Sequence, residues 1–414
     1  MKILAIETSC DDTCVAVLET GRNKLPRFEI LSNVVSSQVK IHQKWGGVYP
    51  TIAKREHQRN LIPVLKKSLK ESNFLKLKTK NHPPPLFRKK WWGASKSKIY
   101  IKNKKIKEIL ERENILYEQL MKFLKKYQKP KIDLIAVTAG PGLEPCLWTG
   151  VNFAKTLSYF WELPIIPVNH IEAHIIANLL PPISSKPKTI PHHFLEKSGG
   201  GPAICLVVSG GHTQLILMRE IGQYKILGET RDDAAGECFD KVAKILGLGY
   251  PGGPIISQIA KKGNDRYPIS IKLPRPMIYQ KNYDFSFSGL KTAVLYNFKN
   301  QPKKIKESKQ YIRAMCTEFQ QAIVDVLIHK TLKAAKKHHA KSIILGGGVA
   351  ANEELRKQLE EKIKKEMPDA RYYIPAAKYC TDNAAMVGAT AYFHWPKEKT
   401  LWQKIEAKAN LRLE

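Results

Sequence analysis

The chain opens with an apolar run, Ile3-Leu4-Ala5-Ile6, then a polar stretch from Glu7 to Asp12, then a second apolar run, Val15-Ala16-Val17-Leu18. Short apolar runs broken by turn-forming polar residues read as buried strands, so residues 2–19 predict strand, polar turn, strand. Past Gly46 and Gly47 the period changes. Leu61, Val64, Leu65 and Leu69 recur at helical spacing among basic residues, which predicts an amphipathic helix over 49–72. Residues 81–85 and 91–97 interrupt regular patterning, and 101–127 read as one or two basic helices. Order resumes with a strand at 132–138, a Gly140-Pro141-Gly142 turn and a helix over 148–160. The second half repeats the opening: strand at 203–208, turn Ser209-Gly210-Gly211-His212-Thr213, strand at 214–218. A further strand at 342–345 runs into Gly346-Gly347-Gly348 and a helix over 352–365. Strands interleaved with amphipathic helices predict an α/β protein, and the two similar openings predict two related lobes around a cleft. The expected layout is a first lobe over 1–72 and 131–180, a basic insertion over 73–130 and a surface excursion over 181–200. A second lobe over 201–385 and a C-terminal helical segment over 386–414 complete it.

Charge changes this picture most. Lys+Arg 69 against Asp+Glu 37 leave +32, and 18 basic against 4 acidic residues fall between Lys76 and Lys131. Such an excess draws in a polyanion. Nucleic acid is the first reading and general solubility the other, since charge alone does not choose RNA over DNA or an acidic protein. Within the basic stretch, Trp91-Trp92 would stack on an exposed base or simply pack. The stretch itself reads as RNA contact, linker or protein docking surface. Hydrophobic residues at 43% exclude a disordered chain. The apolar runs are far too short to cross a bilayer. Seven cysteines with no CxxC pair suit reduced thiols in a cytoplasmic protein.

Candidate chemistry gathers at the turns. Glycines let backbone N–H groups converge on an anion, as the 209–213 and 346–348 turns would allow. Neither is a GxxxxGK[ST] phosphate loop. Asp11 and Asp12 sit in the matching first turn, as a turn-capping pair or as groups that hold a cation or handle a proton. Asn352 reads as a helix cap or a ribose or base contact, and Asp240 as an acceptor for ribose hydroxyls. His170 and His174 stand one helical turn apart and can hold one divalent ion through nitrogen. Glu172 points elsewhere on that helix. Asp382, in Cys380-Thr381-Asp382-Asn383 before a small-residue helix at 384–391, offers the missing carboxylate. Iron(II), manganese and zinc all accept such a set. His57, His192 and His193 read as ordinary solvated or capping histidines. The residue after His170 is Ile171, so the HExxH arrangement of metalloproteases is absent.

Ten motifs in order resemble the TsaD/Gcp family, the catalytic subunit of tRNA N6-threonylcarbamoyladenosine synthesis. They are Ile6-Glu7-Thr8-Ser9-Cys10-Asp11-Asp12-Thr13 and the segments at 46–50, 139–143, 170–174, 208–214, 232–241, 250–254, 285–291, 347–352 and 380–383. Residues 285–291 resemble the bacterial branch. The resemblance implies duplicated ribonuclease-H-like lobes of the actin-type ATPase superfamily. It implies a divalent metal, Fe2+ with Zn2+ as the alternative, on His170, His174 and Asp382. It further implies adenylate contacts from Val207, Val208, Ser209, Gly210, Gly211, Asp240, Gly253 and Asn352. The implied reaction moves the threonylcarbamoyl group from threonylcarbamoyl-AMP to N6 of adenosine 37 in tRNAs reading codons that begin with adenine. AMP leaves, and Asp11 or Asp12 assists the proton. Implied partners are tRNA, a TsaB-like paralogue, a TsaE-like ATPase and an upstream threonylcarbamoyl-AMP synthase, with no membrane. The basic stretch, Asn169 and Cys14 depart from the usual pattern. An actin-type sugar kinase or ATPase gives the histidine pair no role, and a noncatalytic paralogue would not need the whole set.

Overall fold

In the computed structural model, which describes residues 1–21, 27–78, 102–181, 201–261, 269–395 and 401–413, the first apolar run forms β1 (Lys2–Glu7). It pairs antiparallel with β2 (Asp12–Thr20), Ile6 opposite Val15, and β3 (Phe28–Ser37) extends the antiparallel edge. Helix α1 (Pro50–Glu71) begins on a proline, whose missing N–H would have been unpaired there anyway. Helix α2 (Asn114–Lys126) packs beside it. Then β4 (Leu134–Gly140), α3 (Glu144–Trp161) and β5 (Ile165–Asn169) add two parallel strands, giving the order β3-β2-β1-β4-β5. The short helix α4 (His170–Ile176) follows directly.

The second lobe repeats the plan. Strands β6 (Ala203–Val208), β7 (Thr213–Glu220) and β8 (Gln223–Glu229) are antiparallel. Helices α5 (Ala235–Ile245), α6 (Gly252–Ala260), α7 (Ser288–Lys299) and α8 (Lys309–Lys337) come next. Strands β9 (Ser342–Gly346) and β10 (Arg371–Tyr373) then join parallel on either side of α9 (Glu353–Glu366) in the chain. Read from the antiparallel edge, both sheets run third, second, first, fourth, fifth strand. This is the duplicated ribonuclease-H-like arrangement of the actin-type fold. Among the described residues no helix is long and apolar enough to cross a membrane.

The last helix of each lobe reaches toward the other. Ile171 and Ile175 of α4 pack with Cys205, Val207, Ile216 and Ile344 of the second sheet. Helix α10 (Ala384–His394) instead lies on the first sheet, its alanines and Val387 against Ile3, Ala5, Ala16 and Leu18. Its small residues allow the close approach, since a Cβ on Gly388 would stand 2.5 Å from Leu18 Cδ1. Beyond it the chain is not the helix expected to 414. Residues 401–413 hold only a short 3-10 turn, Trp402–Lys404, and run on as a strap bonded through backbone to Ala139 and Gly142.

The expected insertion over 73–130 also meets a different arrangement. Ile106, Leu110, Leu116, Leu120, Phe123 and Leu124 are buried with Leu61, Leu65 and Leu69 of α1 in the first lobe's core. Frequent lysines hide that apolar face in the sequence, and α1 supplies the surface that reveals it. Trp91 and Trp92 lie outside the described residues, as do His192, His193 and 182–200 of the surface excursion.

Candidate functional site

Asn169 ends β5 and caps α4. Its Oδ1 accepts from the N–H groups of Ile171 at 2.8 Å and Glu172 at 3.3 Å, a cap worth about 1 kcal/mol. The helix so started carries His170 and His174 on one side, ring centroids 4.6 Å apart. Asp382, just ahead of α10, brings Oδ1 within 3.5 Å of His170 Nε2 and 3.3 Å of His174 Nε2. One ligand atom from each of the three lies within 4.8 Å of the others. Both ring nitrogens of His174 are buried with no hydrogen-bond partner, and Nε2 faces the Asp382 carboxylate at 3.3 Å. A divalent cation would satisfy that orphaned Nε2, and two imidazoles with a carboxylate are a fitting donor set.

Glu7, given no role in the sequence reading, is fully buried behind His170. Its Oε2 lies 3.0 Å from His170 Nδ1 and accepts from Thr138 Oγ1 at 2.6 Å, while Oε1 accepts from the Ser9 N–H at 2.5 Å. A carboxylate there puts the hydrogen on Nδ1 and leaves Nε2 to face Asp382. Burial opposes a charged His170, yet Asp382 and Glu7 outweigh it and lift the group to about 9. Burial would likewise raise Asp382, but His170 above all draws it down to about 2. The negative field that favours an imidazolium favours a metal cation equally. A lone carboxylate at a strand end has no spacing signal, so Glu7 was not legible. Glu172 turns away, accepting from Tyr224 OH at 2.9 Å and His394 Nε2 at 2.8 Å.

The first-lobe turn is clamped from all sides. His57 corrects its expectation as a solvated or capping histidine: it is fully buried, with Nδ1 2.8 Å from Thr13 Oγ1 and Nε2 2.9 Å from the Cys10 carbonyl. Burial holds it down to about 4, so it stays neutral. Gln38 N–H donates to the Asp11 carbonyl at 3.1 Å and Leu143 N–H to that of Ser9 at 2.8 Å. Burial raises both Asp11 and Asp12, the latter to about 7 with Asp382, Asp11 and Glu7 adding to it. Asp12 Oδ1 has no hydrogen-bond partner.

The second-lobe turn is open. Ser209 N–H donates to the His212 carbonyl at 2.7 Å, and Ser209 Oγ accepts from the His212 N–H at 3.1 Å. Gly210 and Gly211 are exposed, with no atom within 4 Å of where a side chain would begin. The His212 imidazole, missed in the sequence reading, is held neutral by burial and by the field of His170 and His174, at about 4. Gly236 lets α5 seat on this turn, since a Cβ there would meet the Ser209 carbonyl oxygen at 2.6 Å. Val207 and Val208 bury their side chains completely and offer only backbone. Asp240 Oδ1 accepts from the Gly252 N–H at 2.6 Å, and burial raises its carboxyl to about 6. Asn352 caps α9 through the Leu355 N–H at 2.9 Å and donates to Ser257 Oγ at 2.9 Å and Gln320 Oε1 at 2.8 Å. Asp240 and Asn352 thus hold loops in place, while Gly210, Gly211 and Gly253 leave space beside the backbone.

The family described as "TsaD: tRNA N6-adenosine threonylcarbamoyltransferase" matches residues 29–79 and 106–389. A protein of Persephonella marina named tRNA N6-adenosine threonylcarbamoyltransferase is 40% identical over 418 residues, covering 100% of this chain and 96% of its own. One of the same name from Thermosipho africanus is 40% identical over 413 residues, covering 100% of both. A solved ROK hexokinase from Thermus thermophilus shares 12% identity over 96% of this chain and 100% of its own at a TM-score of 0.42, a likeness too loose to carry an argument. Matched over most of its length and 40% identical to full-length relatives, the chain belongs to the TsaD family of tRNA N6-adenosine threonylcarbamoyltransferases.

Proposed function

We propose that this chain transfers the threonylcarbamoyl group from threonylcarbamoyl-AMP to N6 of adenosine 37 in tRNAs reading codons that begin with adenine. The observation that carries this reading is, in a chain of this family, the cluster of His170, His174 and Asp382 donors, whose field reaches His212 in the open glycine turn of the other lobe. The three donors would hold one divalent metal, Fe2+ before Zn2+, because a mixed nitrogen and oxygen set with open positions suits iron. Bound there, the metal supplies Lewis acidity and a fixed point for the threonylcarbamoyl end. Backbone N–H groups of Gly210 and Gly211 hold the adenylate phosphate, with Val207, Val208 and Ser209 shaping the strand end and Gly253 leaving room beside the adenylate. Asp240 and Asn352 bind the adenylate as direct contacts to its ribose and base or by keeping their loops in register.

The adenosine N6 nitrogen bonds to the carbamoyl carbon, the bond from that carbon to the phosphate oxygen breaks, and AMP leaves with the electron pair. The amine gives up one proton, which Asp12 or Asp11 accepts. Its lone pair is delocalised into the ring, so rate comes from alignment and from stabilising the departing phosphate. The working assembly contains tRNA, a TsaB-like paralogue, a TsaE-like ATPase and, upstream, threonylcarbamoyl-AMP synthase, in the cytoplasm. Reconstitution with these components, ATP, threonine, bicarbonate and tRNA tests it. Modified adenosine should form and depend on this chain. Its absence from a metal-loaded, complete mixture would overturn the reading.

A further inference from the structure

The loop from β3 to α1 leaves two large aromatic side chains in water. Trp45 is 53% exposed and Tyr49 49%, and their rings lie 5.3 Å apart at an interplanar angle of 54°. Single exposed aromatics are ordinary, whereas adjacent ones make a patch that calls for an occupant. The loop beneath them is pinned. The Gln38 N–H holds the Asp11 carbonyl, Gln38 Oε1 lies 3.1 Å from His42 Nε2, and the Tyr49 N–H donates to His42 Nδ1 at 3.4 Å. Gly46, at φ +67°, closes the turn Gln43–Trp45. A Cβ on Gly46 would sit 3.5 Å from Lys244 Nζ of α5, so the loop spans from the acidic turn of one lobe to a helix of the other. Lys40, Lys44 and Lys244 are exposed around it, and no acidic residue occurs from Gln38 to Tyr49.

We propose that Trp45 and Tyr49 form a stacking platform for an unstacked nucleobase of the RNA substrate beside the adenosine that enters the cleft, with Lys40, Lys44 and Lys244 on the flanking phosphates. This deepens the function proposed above and rests on it. An adenosine whose N6 must reach a cleft leaves its stack, and its neighbours lose a partner that an aromatic face replaces. The tilt between the rings fits one face-on and one edge-on contact, or two successive bases, and not both rings on one base. Aromatic rings beside three exposed lysines, on a loop that carries no acidic residue, match a polyanion carrying flat bases better than an apolar protein surface.

The experiment uses the full chain, in Trp45→Ala, Tyr49→Ala and Trp45→Phe forms, with labelled anticodon stem-loop RNA either intact or abasic at one position flanking the target adenosine. Dissociation constants come from anisotropy, KM and kcat from the reconstituted transfer, and folding from thermal melting. Trp45→Ala should raise the dissociation constant and KM for RNA roughly five- to hundredfold, with kcat less affected. Trp45→Phe should restore most of this. The abasic RNA should bind wild type more weakly, with little further loss in Trp45→Ala. Unchanged RNA affinity in a folded Trp45→Ala, Tyr49→Ala double variant would overturn the platform. So would loss of binding to the TsaB-like paralogue with RNA affinity intact, which would make the patch a protein interface. Because affinity is read without turnover, a wild-type chain that binds RNA through these rings yet modifies nothing would count against the transferase reading and not against the platform.

Discussion

The turn from β1 to β2 and the turn from β6 to β7 hold the same place in two copies of one sheet, and they are built in opposite ways. In the first, Thr8 and Ser9 are buried, and the backbone carbonyls of Ser9, Cys10 and Asp11 are taken by Leu143, His57 and Gln38. Its side chains gather negative charge, Glu7 at one end and Asp11 and Asp12 at the other. In the second, Gly210 and Gly211 stand in open space. The two lobes repeat one strand order, and the side chains at the equivalent turns give them different electrostatics. A closed acidic turn favours a cation or a moving proton, whereas an open glycine turn leaves N–H groups for an anion.

The strongest way to break this division is at the metal donors. Asp382→Ala and His174→Ala should each lose most bound metal and lower transfer on the order of a hundredfold or more, with melting checked alongside. Unchanged metal content in both folded variants would sink the donor assignment. Next is Glu7→Gln, which keeps the shape but removes the charge behind His170. It should weaken metal affinity by about 10- to 100-fold, while Glu172→Gln, whose partners are Tyr224 and His394, should bind metal as wild type does. Equal losses in the two would erase the distinction between them.

On the open side, Gly236→Ala places a Cβ 2.6 Å from the Ser209 carbonyl oxygen. Overpacking of about 1–3 kcal/mol is expected, together with weaker binding of a nonhydrolysable adenylate analogue and undiminished metal content. Metal loss there would show that the turns do not act separately. The last test is the pH dependence of the metal-free protein. Asp12 ionises at its ordinary value, 3.8, in the unfolded chain and near about 7 in the fold, chiefly through burial. Between those values the folded state holds the additional proton, so stability should fall as pH rises. Asp12→Asn should flatten that slope, and so should metal, whose charge favours the carboxylate. Denaturant titrations across that range would read it, and an unchanged slope in Asp12→Asn would remove the buried carboxyl as its source.

Residues close together in the chain carried much of this into view. The alternation of apolar runs and turns marked β1, β2, β4, β6, β7 and β9, because a buried strand needs only its own side chains to announce itself, whereas the short β5 and the partly exposed edge strands β3, β8 and β10 gave no such run. The spacing of His170 and His174 marked a donor pair, since one helical turn stacks them whatever surrounds the helix. Helix α2 was read as a basic helix, but its place in the core escaped that reading because lysines dilute its apolar face, and Leu116, Leu120 and Phe123 become core only against α1. Glu7 and His57 escaped for a related reason. Each acts on a group far away in the chain, Glu7 on His170 and His57 on Cys10 and Thr13.

Local periodicity and backbone freedom were enough to mark the two strand-turn-strand units, the glycine turns and the histidine pair of the candidate donor set. Long-range packing set what the chain order does not contain: that Glu7 stands behind His170, which turn closes and which stays open, and that α10 crosses to the first sheet. Those outcomes depend on burial and charge summed over residues far apart in the chain, as where Glu7 Oε2 lies 3.0 Å from His170 Nδ1, and local pattern does not contain them.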